Sequence, residues 1–474
     1  MAIDNLRWTT LVELASLIRD GEVSSTEVVE STLQHISATE PTVHAFAGLM
    51  SDSARAEAAE ADSAIARGDE LGPLHGIPVG VKDLCHTAGF VTAGGSKVLE
   101  GFVPETDATV VRKLRRAGAV IVGKTVTHEF AYGQNIPPTR NAWDQSCYPG
   151  GSSAGSGVSL AVGDVWGAIG TDTGGSVRAP ASVNGVVGLK PTHDLVGRKG
   201  VLPMSPTLDT VGPMARTVRD CATLLSAIAG SEPGDETATR SPLPDYARSF
   251  SRDVSKLKIG VERDYFFYAA VDPEVAKAVD EAIAVIESLG VSIVEVEIPN
   301  LDLVVPAGLA VLLADTSEWH QPLLREKGDR YVKETRLMLE LGEITLATSY
   351  ARAQKVRSLI RESVRSVFDE NDLDAIAAPS SPVTTMPVEQ LSVDLTGTGE
   401  TALSALLHHG FPANVIGIPA LSVPVGFSSK GLPIGMQLIG RPFGESPLFT
   451  IGDAYQSTTD WHLRHPEWVE SKTV

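Results

Sequence analysis

The sequence predicts an α/β protein, a β-sheet carrying α-helices on its faces. Short apolar segments punctuated by glycine and proline, at 77–82, 119–123 and 165–170, alternate with helix-patterned stretches such as 108–117, which stops at Gly118. With 474 residues, 43% of them hydrophobic, and a mean hydropathy of +0.05, the chain can bury a sizeable core and is not a disordered one. It exceeds the roughly 250–300 residues at which single cores usually stop growing, so two lobes or one large sheet with an insertion both fit its length.

Leu11, Leu14, Leu17 and Ile18 form the apolar stripe of a first helix, and Ser24-x-x-Glu27 is a capping box that opens a second. An alanine-rich third helix covers 54–67 and ends at Gly68, so residues 10–67 read as helical. From about 221 to 411 glycine thins out. Long helices are expected there at 273–289 and 330–368, with strands at 258–261 and 292–296. Strands return at 416–426 and 434–439. The expectation is one domain over 1–474, with a glycine-rich core at 70–220, a more helical middle at 221–411 and C-terminal strands at 412–474 that complete the sheet.

A formal net charge of −20 argues against nucleic acid or an anionic membrane as the main partner. Three cysteines, Cys85, Cys147 and Cys221, show no paired spacing and fit a reducing compartment without a disulfide framework. The N-terminal residues lack the basic and apolar regions of a signal peptide. The longest apolar run, near 308–314, is far short of the roughly 20 residues of a membrane span. A cytoplasmic protein is expected.

Several motif matches carry little. Gly118 to Thr125 fits G-x-x-x-x-G-K-[ST], but its variable residues, Ala-Val-Ile-Val, are a strand rather than a phosphate-cradling loop. His128-Glu129 has Tyr132 where a second zinc histidine would stand, and adjacent His408 and His409 face different directions on a helix, so no metal site is expected. Cys147 reads as a small packing residue. Gly151-Ser152-Ser153-Ala154-Gly155 fits the G-x-S-x-G nucleophile elbow, which needs a strand leading in. The preceding residues are a proline-containing loop. His193, His320 and His408 follow the motif, but none sits in a recognisable triad context; an esterase using Ser153 stays as an alternative.

One constellation is stronger. The turns Gly150-Gly151-Ser152-Ser153 and Thr171-Asp172-Thr173-Gly174-Gly175-Ser176 flank a strand-like segment, and Lys82 closes an apolar strand upstream. Residues 150–200 hold 13 of the chain's 44 glycines, a density that describes a site built from backbone. A serine that attacks a carbonyl needs a base and main-chain donors for the oxyanion. Lys82 can be that base only if burial lowers its pKa from about 10.4 towards 7–8, while Asp83 points to the other face of the strand. Ser176 reads as a helix start, where unpaired N–H groups favour negative charge. The main chain of Thr173, Gly174, Gly175 and Ser176 can supply the oxyanion hole. Ser153, Asp172 and Arg178 are expected to support these loops.

This order of lysine, Gly-Gly-Ser-Ser and Asp-x-Gly-Gly-Ser resembles the amidase signature family, and the resemblance covers most of the chain. Ser182-x-x-Gly185-x-x-Gly188-Leu189-Lys190-Pro191-Thr192, Leu208-Asp209-x-x-Gly212-Pro213-Met214 and Thr459-Asp460-Trp461-His462 extend it. The resemblance implies a large mixed β-sheet sandwiched between α-helices and a Ser–cis-Ser–Lys triad. In it Ser176 is the nucleophile, Ser152 relays its proton to Lys82 and the Gly151–Ser152 peptide is cis. It implies hydrolysis of a linear, small-molecule amide to an acid and ammonia or an amine, without a cofactor, and allows a homodimer. One branch of the family is the glutaminase component of glutamyl-tRNA amidotransferase, a second alternative. That branch carries arginines before a glycine matched here to Gly342, where this chain has Arg336 followed by Leu337, Met338 and Leu339. The departure favours a freestanding amidase of a less polar substrate. Tyr132, Gln134, Asn135, Trp319 and Ile416 are expected to line its pocket.

Overall fold

The computed structural model describes residues 6–132, 136–251, 253–268, 270–391 and 401–472. Among these residues eleven strands form one mixed sheet. In chain order they are β1 (Phe46–Leu49), β2 (Pro78–Lys82), β3 (Val120–Thr125), β4 (Gly167–Asp172), β5 (Val187–Lys190) and β6 (Thr210–Ala215), then β7 (Lys258–Val261), β8 (Ser292–Glu295), β9 (Ala375–Pro379), β10 (Ala420–Phe427) and β11 (Pro433–Gly440). The order across the sheet is β1-β3-β2-β4-β6-β5-β10-β11-β9-β7-β8. The strands β3, β2 and β4 run parallel at one end, and β9, β7 and β8 at the other. An antiparallel run through β6, β5, β10 and β11 joins them. The C-terminal strands β10 and β11 thus occupy the middle of the sheet.

Side chains alternate between its faces, as a period of two requires. Val79, Val81, Ile121 and Ile169 enter one core, closed by helices Leu11–Arg19, Thr109–Arg116 and Val218–Ile228. Val120, Val122 and Ala168 enter a second on the opposite face, beneath Ser25–Val43, Ser51–Arg67 and Ala154–Ala161. A third core packs Ile376, Ala378 and Ile439 against helices from the chain's middle section.

The expected capping box of Ser24 and Glu27 is present, and the third helix ends at Gly68 in the left-handed region. Residues 10–67 are not wholly helical: Phe46–Leu49 pairs with β3 and starts the sheet. The expected helix over 330–368 is two, Lys333–Glu343 and Ala347–Asn371, and both pack on Val304–Lys327. One straight rod could not lie along that partner twice. Residues 416–419 are not strand. Helix Ala402–Ile416 ends there, capped by Gly417 at φ +86°, and β10 begins at Ala420. The P-loop-like segment is the buried strand β3. Among the described residues no helix is long and apolar enough to cross a membrane.

Candidate active site

The chain turns from β2 to β3 on one side of β2 and then crosses to β4 on the other. The C-terminal ends of parallel strands at such a switch point are where open α/β sheets form ligand crevices. Lys82 is the last residue of β2, and Thr171 lies near the end of β4. Helix Ala154–Ala161 begins directly after Ser152 and Ser153.

Lys82 is fully buried. Its Nζ lies 2.8 Å from Ser152 Oγ, 2.9 Å from Ser153 Oγ and 2.8 Å from Thr171 Oγ1. Burial drives its pKa down to about 7, and the more distant carboxylates of Asp172 and Asp209 only partly oppose the shift. Asp83, as expected, faces away: its carboxylate accepts from Ala93 N–H and lies 3.8 Å from Lys124. The Gly151–Ser152 peptide is cis. A side chain on Gly151 would collide with the His128 ring, so only glycine fits that approach. His128 Nε2 pairs with the Tyr148 hydroxyl at 3.2 Å, and burial, then the Lys82 charge, drives its imidazole down to about 3.

The second loop is held by a buried ion pair. The Asp172 carboxylate accepts from Gly175 N–H at 2.8 Å, Val177 N–H at 3.0 Å and the Arg178 guanidinium at 3.1 Å. Burial alone would raise this carboxyl, yet Arg178 holds it well below the usual carboxylate range. Arg178 also donates to Gly410 O, Asn414 Oδ1 and Gln437 Oε1, which ties the loop to helix Ala402–Ile416 and β11. Thr173 Oγ1 donates to Asp209 at 2.6 Å. Helix Arg178–Asn184 starts two residues after Ser176, so Ser176 sits in the loop before it. The Gly175 N–H is already committed to Asp172, which narrows the expected oxyanion donors to Thr173, Gly174 and Ser176.

A cavity of about 460 Å³ joins these pieces. Ser152, Ser176, Thr173 and Gly174 line it together with Tyr132, Tyr148, Met204, Leu309, Leu312, Met338, Leu407 and Phe411. No described lining residue is charged. Tyr132 is where the sequence placed it, whereas Gln134 and Asn135 lie outside the described residues. Trp319 does not line the cavity; it packs behind the wall against Phe130 and His320. Ile416, at the far end of its helix from Leu407, lines a different cavity. Met338 lines the wall, while Arg336 on the same helix pairs with Glu340 at the exposed surface. Ser153 is buried, its hydroxyl taken up by Lys82 and Thr171, and Cys147 is buried with its thiol pKa raised by burial. The lysine contact of Thr171, the histidine contact of Tyr148 and the distant Asn414 and Gln437 escaped the sequence reading, because strand pairing, the loop before Gly150 and helix packing bring them here.

The amidase family model matches residues 27–449. The chain is 41% identical to an amidase of Pseudomonas putida over 469 residues, spanning 98% of this chain and 99% of that one. It is 40% identical to a glutamyl-tRNA(Gln) amidotransferase component of Roseiflexus sp. (strain RS-1) over 490 residues, spanning 98% and 99%. Its fold matches the X-ray structure of peptide amidase from Stenotrophomonas maltophilia with a TM-score of 0.84 at 32% identity, across 95% and 97% of the two chains. With a family match over most of its length and near full-length relatives on both branches, this chain belongs to the amidase family and is a hydrolase of amide C–N bonds.

Proposed function

We propose that the chain cleaves a linear amide with an apolar acyl group through an ester on Ser176, with Ser152 and Lys82 moving the proton. The observation that carries this reading is the buried Lys82 among three hydroxyls, with its pKa near 7. A neutral amine has two N–H bonds and one lone pair. Ser153 Oγ donates to Thr171 O at 3.2 Å, so it accepts from Lys82. With the Ser153 and Thr171 hydroxyls taking the two N–H bonds, the lone pair is left for the Ser152 O–H.

Ser176 Oγ forms a bond to the substrate carbonyl carbon, and the carbonyl electron pair moves onto oxygen, facing N–H groups of the 173–176 loop. The Ser176 proton passes to Ser152, whose own proton passes to Lys82. On collapse the C–N bond breaks, the departing nitrogen takes a proton from Ser152, and Lys82 returns one to Ser152. Water then repeats the attack and releases the acid. The three free, buried thiols support a reducing compartment such as the cytoplasm.

Among the described residues the cavity wall carries no charge, which favours an apolar acyl group over glutamine, whose ammonium and carboxylate would need charged partners. Labelling the purified chain with a fluorophosphonate and mapping the adduct tests the nucleophile. Modification at Ser176 is expected, and modification at Ser153 would hand the chemistry to the elbow serine. Assaying the chain alone against aliphatic amides, aryl amides and glutamine tests the substrate class. Faster turnover of glutamine than of any apolar amide would favour the amidotransferase branch.

A further inference from the structure

A second cavity, of about 610 Å³, lies at the other end of the helix that lines the active site. Its wall includes Ile416 and Gly417, where helix Ala402–Ile416 ends, together with Arg361, Phe368, Arg441 and Phe443. Two features set it apart from the active-site cavity, whose described lining residues are uncharged.

The first is a cation without a counter-ion. Arg361 donates through Nε to Ile416 O at 2.8 Å. Among the described residues no carboxylate pairs with its guanidinium. The like charge of Arg361 depresses neighbouring Arg357, after the larger effect of burial there. The acids nearby are engaged elsewhere: Asp194 pairs with Arg198 and His193, Glu236 with Arg240, and Asp369 with Arg365 and Arg441. Arg361 is an exposed side chain on the cavity wall, so the guanidinium N–H groups not used by Ile416 O are open to an anionic ligand. The second feature is the apolar wall beside it, where Phe368 and Ile418 are buried and Phe443 is 50% exposed at the rim.

We propose that this cavity is a second ligand site, taking a small carboxylate whose apolar body rests between Phe368 and Phe443 while its carboxyl group pairs with Arg361. A carboxylate matches the planar guanidinium fork, and two parallel N–H···O bonds would fix its orientation. The acid released from an apolar amide has this chemistry. The site itself stands on its own residues and does not depend on the proposed roles of Ser176 or Lys82.

The probe is 4-bromophenylacetate, followed by calorimetry on the full chain and by the bromine anomalous signal in soaked crystals. The expected result is a bromine peak near Phe443 and saturable binding that weakens about tenfold or more in Arg361→Gln, since hydrogen bonds to charged groups are the strong ones. Amide turnover by that variant should stay within about twofold of the wild type. Phe443→Ala, at an exposed rim position, should also weaken binding and keeps the test decisive if Arg361→Gln folds poorly. The neutral isostere 2-(4-bromophenyl)ethanol should bind more weakly than the acid. Bromine only in the cavity beside Ser152 and Phe411, no bromine peak, or unchanged affinity in both variants would overturn the proposal. Because the readout is binding, a failed Ser176 label leaves its outcome untouched.

Discussion

Lys82 Nζ meets Ser152 Oγ at 2.8 Å across 70 residues of chain. The contact depends on two pieces of sheet geometry. Parallel pairing of β2 with β4 sets Thr171 beside Lys82, and the turn before helix Ala154–Ala161 drops Ser152 and Ser153 over the strand ends. The amine is therefore surrounded by hydroxyls and shut off from water. Such a site favours the neutral form of a lysine and gives it proton-accepting partners at once.

The first consequence is a pH profile. The folded-state pKa of Lys82 is depressed to about 7, so the ammonium form dominates below that pH and the free amine above it. Only the free amine can take a proton. The value of kcat/KM for an amide should rise about tenfold per pH unit below 7 and level off above it. A profile that falls as pH rises through 7 would contradict a lysine base.

Thr171→Val removes a hydroxyl that accepts from Lys82 while nearly preserving shape. Hydrogen bonds to an ammonium stabilise its charged form, so losing one lowers the pKa further. The acidic limb of the profile should move down by about one pH unit, since one unit corresponds to about 1.4 kcal/mol. The plateau rate should also drop, as the amine loses an anchor. A role confined to packing would lower the rate without moving the limb.

The elements that sequence reasoning found are those whose signals are local. Gly68 and the Ser24–Glu27 box mark helix ends through their own backbone needs, and the apolar run ending at Lys82 reads as a strand by itself. Ile416-Gly417-Ile418-Pro419 misled because a helix C-cap glycine followed by proline is written in the same residues as a strand with a turn. Phe46–Leu49 is a strand only because β3 offers an edge to pair with. The loops around Ser152 and Ser176 were legible from their glycines. The cavity was not, since Leu309, Met338 and Phe411 arrive from helices far along the chain. Trp319 sits on one of those helices with its ring turned towards Phe130 instead.

Asp172→Asn separates charge from shape in the loop that carries Ser176. Arg178 is 1% exposed, and removing the Asp172 charge would leave a buried guanidinium without its anion. Breaking such a pair typically costs about 3–5 kcal/mol. The denaturant midpoint should fall markedly. Amide turnover should fall too, because the carboxylate fixes Gly175 and Val177 on either side of Ser176. Urea unfolding with kinetics on the folded variant measures both. An unchanged midpoint would mean that Arg178 is held by Gly410, Asn414 and Gln437 alone.

The sharpest test of the relay compares amides with esters. Ser152→Ala leaves Ser176 and the main-chain donors in place but removes the hydroxyl proposed to relay a proton from Ser176 to Lys82. One acid–base step contributes about 10²–10⁴-fold, and Ser152 is assigned two, taking a proton from Ser176 and returning one to the leaving nitrogen. Amide kcat/KM should therefore fall by several orders of magnitude. An ester's leaving oxygen departs with less protonation, so ester turnover should suffer less. Groups that act as one unit are not additive, and the Lys82→Ala, Ser152→Ala double variant should be little worse than the poorer single one. Measuring a matched amide and ester with all three variants decides the matter. Additive losses, or equal losses on both substrates, would make Ser152 a packing residue and leave Lys82 without a path to the nucleophile.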